Sequence, residues 1–224
     1  MKKKQRAMLA LLICCVLIAG GGGGAATSAE TESAASAESG SASSAGSASA
    51  SSVSGGSAAE DPGQAAREHF GEKAAEQEFS GISYIGSKDW NYEEDESGNG
   101  CNIYLDGEKV VLVIAHLAKN AVVESADHAG VYKTLEVFLG GDDKDVEHLV
   151  FANGEPYLSY VSEYEDGKGY NGLFYTKDGL FAAGLQLFGE VSEDAEKAFV
   201  EDYQAVLSSM EFEAAEYQAK NLEK

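Results

Sequence analysis

Cysteine is almost missing from this 224-residue chain: Cys14 and Cys15 lie near its start, and Cys101 stands alone beyond them. No disulfide can form within the long stretch after residue 60, which must rest on its own hydrophobic core. Its ~160 residues are enough to supply one. Basic residues are scarce too. Residues 61–224 hold 12 Lys and Arg against 34 Asp and Glu, and no Lys/Arg stripe. Such a surface repels nucleic acid phosphates and anionic lipids, so nucleic acid is excluded as a partner. Cationic partners and divalent metals stay electrostatically possible, while the same charge also keeps an exported domain soluble.

Long apolar runs are absent as well. The longest opens the chain, from Ala7 to Ala19, behind Lys2, Lys3, Lys4 and Arg6, and no acidic residue precedes Glu30. A cationic head before an apolar stretch is the pattern of a secretion leader. Thirteen residues rise only ~20 Å as a helix, short of the ~30 Å hydrocarbon core, which disfavours a permanent span. Residues 1–24 are therefore read as a lipoprotein-like secretion signal. Ile18-Ala19-Gly20 is a good lipidation triplet, but Gly21 follows it and carries no thiol; lipidation would have to use Cys15. Ordinary cleavage between Gly22 and Ala26 fits the small-residue requirement better.

Residues 25–60 are almost wholly Ala, Ser, Gly, Thr and Glu, with Val53 the only large apolar side chain. They cannot bury enough surface to offset ordering, and read as a flexible tether of roughly 30–36 Å root-mean-square reach. Residues 61–224 read as a single globular domain with a short C-terminal tail.

Within that domain, Gln64–Glu78 is rich in helix formers with only Phe70 as a large apolar residue, and predicts a marginal helix. Ile82–Ile85 alternates like a first strand, ahead of Trp90 and an acidic loop from Glu93 to Gly100. Asn102–Leu105 and Lys109–Leu117 flank Asp106-Gly107, a hairpin signal, and the run VVLVIAHL is apolar on both faces like a central strand. Val131, Tyr132, Leu135, Phe138 and Leu139 recur at helical spacing, with Ser125 placed to cap the start and Gly140 the end. A meander follows, punctuated at Asn153-Gly154, Asp166-Gly167 and Asp178-Gly179. A closing helix starts at Ser192 and keeps Ala195, Phe199, Tyr203, Val206, Leu207 and Met210 on one face. Grouped strands with segregated helices make an α+β domain, an antiparallel sheet flanked by helices.

The order ISYIGSKDWNY, a hairpin ending in an apolar strand, a helix, VFANGEPYLSYVSEY and finally FVEDYQAVLSSMEF resembles the PsbP-like superfamily over about residues 79–213. That superfamily includes photosystem extrinsic proteins and many exported bacterial lipoproteins. The resemblance implies an α/β/α sandwich around an antiparallel sheet, used mainly for binding and assembly. It implies no catalytic residue and no cofactor.

Four places could carry chemistry. A serine hydrolase elbow would need Gly-x-Ser-x-Gly with a base, and the nearest approach lies in the tether around Gly40-Ser41-Ala42, where no site is held rigid. Cys101 with His116 or His128 could be drawn as thiol and base, although a lone Cys at a strand start is more often a small buried hydrophobe. His69, His116, His128 and His148 show no paired metal spacing. Asp142, Asp143, Asp145 and Glu147, beside His148, could offer oxygen ligands to Ca²⁺, without EF-hand spacing; a solvated acidic turn explains them better. Trp90, Tyr92, Tyr157 and Tyr160, with Tyr164, Tyr170 and Tyr175, could stack on a glycan or grip a peptide, or simply fill the core.

The reading is an exported, non-enzymatic cell-envelope or secreted domain for binding or assembly. Its partner is an envelope protein or small ligand, and it touches membrane only through an uncleaved leader or a lipid on Cys15. The alternatives are an envelope module for peptide, glycan or Ca²⁺, and then a Cys101-based hydrolase.

Overall fold

The computed structural model describes residues 62–119, 122–123, 125–140 and 145–219. The leader, the tether, Cys14, Cys15, Asp142 and Asp143 lie outside the described residues. Among those described, no helix is long and apolar enough to cross a membrane.

The first helix, α1 (Pro62–Phe70), is shorter than the sequence predicts. It stops at Gly71, whose φ of +54° belongs to the left-handed region that other residues avoid. A single 3₁₀ turn leads into β1 (Ala74–Phe79), which pairs antiparallel with β2 (Ile82–Ser87) across the Ser80-Gly81 turn. The second half of the predicted helix is thus a strand. AAEQEF is composed of helix formers, yet Ala75, Gln77 and Phe79 turn inward while Glu76 and Glu78 face water, and six cross-strand pairs decide its conformation.

Seven further strands form the main sheet: β3 (Asn91–Glu94), β4 (Gly100–Asp106), β5 (Val110–Ala118), β7 (Val146–Val150), β8 (Pro156–Tyr164), β9 (Gly167–Thr176) and β10 (Gly179–Phe188). They lie in the order β3-β4-β5-β10-β9-β8-β7, every neighbour antiparallel. The expected acidic loop is partly β3, paired with β4, so only residues 95–99 remain as a connection. Strand β5 is central, as its two-sided apolar run predicts, with Val110 to Ala115 all buried. The short β6 (Val122–Val123) pairs in parallel with β11 (Gln218–Ala219).

Helices cover both faces of the sheet. On the first face α3 (Glu193–Ser208), capped by Ser192, lays Tyr203, Val206 and Leu207 over Leu112, Ile114, Phe174, Phe181 and Leu185, beside Ile82 and Tyr84 of β2. The chain leaving α3 pairs Glu211 with Ser83 and locks the β1–β2 hairpin to it, while Ile85 N donates to Ser209 Oγ at 2.9 Å. The contact of His69 Nε2 with Asp202 Oδ1, 2.7 Å, ties α1 to α3.

On the second face α2 (His128–Phe138) packs Val131 and Leu135, with Leu139, over Leu158, Tyr160, Leu173, Tyr175 and Leu180. Its N-cap is Asp127 rather than Ser125: Asp127 Oδ1 accepts from Gly130 N at 2.9 Å and from Ser125 Oγ. Ser125 steadies the cap from outside. The result is the expected α+β domain, an antiparallel sheet between helical layers.

Candidate functional site

Helix α2 covers the β8–β9 half of the second face and leaves the β4–β5–β10 half to other neighbours. Strand register places Asn102 and Tyr104 of β4, Val111, Val113 and Ala115 of β5, Gly184 and Gln186 of β10, Gly169 and Asn171 of β9 and Ser162 of β8 on this face. Val111, Val113 and Ala115 form their own apolar cluster, and the described residues packed against it, Tyr104, Leu117 and Phe188, all come from the sheet or its immediate end.

Polar side chains run through this floor. Gln186 Nε2 donates to Asn171 Oδ1 at 3.0 Å, and Asn171 Nδ2 donates to Ser162 Oγ at 3.1 Å. Tyr164 OH lies 3.0 Å from Gln186 Oε1 and 3.0 Å from Lys168 O, at the rim. Gln186 is wholly buried, and Asn171 and Asn102 are 3% and 4% exposed. Burying amides costs free energy unless each is paired, so a ladder here needs room to pair. Two glycines give that room. A Cβ at Gly184 would stand 2.8 Å from both Asn171 Oδ1 and Gln186 Nε2, and one at Gly169 would stand 2.7 Å from Gln186 Oε1.

Asn102 differs from its neighbours. Its Oδ1 is buried and has no hydrogen-bond partner among the described residues. Directly across the register stands Glu93 of β3, an exposed carboxylate that accepts from Tyr104 OH at 3.3 Å. A buried acceptor left without a partner costs free energy in the fold.

The residues singled out from the sequence do not gather at one place. Trp90 packs edge-on against Phe70 of α1, 5.2 Å between ring centroids, and Tyr92 donates its hydroxyl to Ser87 O at 3.0 Å. Tyr157 stacks on Phe151 at the first face, whereas Tyr160 is buried beneath α2 on the second. Asp145 and Glu147 are exposed ahead of and on β7. Among the described residues no group of three His, Cys, Asp or Glu side chains could hold a metal ion.

Cys101 is buried in the first-face core with Ile103, and burial foremost, then the negative charge of Glu94, pushes its thiol up to about 11. His116 is committed elsewhere, its Nε2 3.0 Å from Asp178 O and its ring stacked on Phe181. A thiol that holds its proton at neutral pH is a poor nucleophile.

The ladder residues were not evident as a site from the sequence. Their signal is a polar residue at an inward position of an otherwise apolar strand, with Gly two residues away: Gly184 before Gln186, and Gly169 before Asn171.

No family model matches the chain, and no curated protein matches it. Solved structures similar to it include the solution structure of cyanobacterial PsbP (CyanoP) from Synechocystis sp. PCC 6803, with a TM-score of 0.42 and 10% identity, covering 62% of this chain and 92% of that one. A crystal structure from Bacteroides thetaiotaomicron VPI-5482 is similar with a TM-score of 0.37 and 13% identity, over 62% of this chain and 48% of that one. The chain thus spans about half the length of the second.

Proposed function

We propose that this is an exported, non-catalytic binding domain of the cell envelope, which takes its ligand on the second sheet face over β4, β5 and β10. One observation supports a site there: a polar ladder inside an apolar, glycine-relieved layer, itself buried in the folded chain, with the acceptor Asn102 Oδ1 left without a partner among the described residues, so that a ligand reaches it only as that layer opens. Export rests on the leader pattern of Lys2 to Ala19. Non-catalytic character rests on the burial and raised thiol pKa of Cys101 and on the engagement of His116 away from it.

The experiment is a thermal-shift comparison of the purified chain with N-acetylglucosamine oligomers, with short peptides and with Ca²⁺. A Tm rise with a glycan or peptide that disappears in Tyr104→Ser supports this face. A rise that survives Tyr104→Ser, or one produced by Ca²⁺ alone, overturns it.

A further inference from the structure

The two edges of the seven-stranded sheet are finished differently. Strand β3 exposes Asn91, Glu93 and Glu94 and turns its one large side chain, Tyr92, toward Ser87 O. Charged, polar side chains of that kind keep an edge from pairing with another chain. Strand β7 carries no Lys, Pro or Gly and runs in unbroken register with β8. It leaves Val150 50% exposed, and Val161 of β8, just past the end of that pairing, is 52% exposed. We infer that β7 is a docking edge, which takes an extended segment of another protein as an eighth strand, with Lys or Arg on the Glu147 side of that segment and apolar residues on the Val150 side.

The backbone specifies a strand. Phe151 N donates to Glu155 O at 2.9 Å where the β7–β8 hairpin closes. In an antiparallel ladder, residues that bond the partner alternate with residues whose groups point outward. Glu147 and Leu149 therefore turn their N–H and C=O groups to β8, and Val146, His148 and Val150 turn theirs away from it. Among the described residues no strand lies on that side. Glu147, His148 and Val150 are all exposed, so the edge is reached without any opening of the fold. Another extended backbone satisfies such a row in series.

The edge is also held ready. His148 Nε2 lies 2.7 Å from Glu136 Oε1, its ring stacks on Tyr132 at 4.3 Å, and Tyr132 OH donates to Leu149 O at 2.7 Å. Helix α2 thus fixes the middle of β7 in the extended form, which spares an incoming strand the cost of ordering it.

Side chains specify the rest. Glu147 and Leu149 lie on the first face, opposite Ser159 and Tyr157, and Val146, His148 and Val150 lie on the second. Asp145 and Glu147 are exposed, and neither β7 nor β8 contains a Lys or Arg. A Lys or Arg opposite Glu147 pairs with it, whereas a carboxylate there is repelled. Apolar residues opposite Val146 and Val150 bury area on the other side. The formal charge of −22 argues against a second copy of this chain as the occupant.

The test is fluorescence anisotropy of the purified full chain with a labelled octapeptide alternating Lys and Val. Two controls accompany it: the same peptide methylated on its Val backbone nitrogens, and the same peptide with Glu for Lys. The parent peptide is expected to bind about tenfold or more tightly than either control. Glu147→Lys, at an exposed position, is expected to weaken the Lys peptide several-fold and tighten the Glu peptide. Val150→Pro removes an outward N–H and is expected to abolish binding with Tm little changed; if that variant unfolds, Glu147→Lys decides. Tyr104→Ser is expected to leave this binding intact, which separates the edge from the layer over β4, β5 and β10.

Equal binding of the methylated peptide overturns strand addition. Equal binding of the Glu peptide, or no effect of Glu147→Lys, overturns the basic partner. A doubled mass in sedimentation that Val150→Pro reverses makes a second copy the occupant and overturns the proposal. Tighter binding of a peptide of this chain's own residues 2–9 does the same in favour of the leader.

Discussion

Gln186 Nε2 donates to Asn171 Oδ1 at 3.0 Å across the β9–β10 pair, directly over the backbone of Gly184. The two amides meet there because the position between them has no side chain.

Gly184→Ala therefore pushes a methyl group to within 2.8 Å of both amide atoms. Neither side chain can retreat far, since Gln186 is wholly buried and Asn171 is held by Ser162. Overpacking of this kind costs about 1–3 kcal/mol, and chemical denaturation should show that loss with an unchanged m-value. A variant as stable as the parent would show that the ladder has slack.

Cys101 should resist iodoacetamide in the folded chain at pH 8 and react fully in denaturant. Its thiol lies in the core and holds its proton up to about 11, against an ordinary value of 9.0. Because the folded-state pKa is the higher one, the associated stability is fully present below pH 9 and is lost as pH rises through about 11. One such group contributes about 2 kcal/mol of alkaline sensitivity. Tyr104 and Tyr175, each raised to about 12 chiefly by burial, extend the decline above pH 10. Cys101→Ser should start that decline later, and pH titration of the denaturation midpoint checks it.

Mass spectrometry of the protein from its native cells should find an unmodified N-terminus among the small residues after Gly20. A diacylglyceryl mass on Cys15 would replace a free product with an anchored one, and an intact Met1 would remove the case for export.

How far the fold could be read ahead of the structure depended on whether local signals agreed. Ser192 before an amphipathic run, and Asp106-Gly107 between alternating strands, each pointed one way and both elements stand where expected. The segment after Phe70 misled because its composition favours helix, while pairing with β2, a contact with no local signature, makes half of it a strand. Ser125 misled by two residues, since Asp127 offers a carboxylate nearer the helix start. The floor of the second face was harder still. Asn102, Asn171 and Gln186 are far apart in sequence, and only the strand order β4-β5-β10-β9 brings them onto one surface. The aromatic residues were conspicuous in the sequence, yet Trp90, Tyr157 and Tyr160 pack into different layers.

The most direct measurement is a ¹⁵N-resolved NMR titration that follows the side-chain amide signals of Asn102, Asn171 and Gln186 as a short peptide or an N-acetylglucosamine oligomer is added. A binding face over β4, β5 and β10 predicts that the Asn102 amide shifts most, followed by the backbone of residues 111–115, with α1 and α3 unmoved. Shifts confined to the α1–α3 side, or a saturating interaction that leaves all three amides in place, would contradict it.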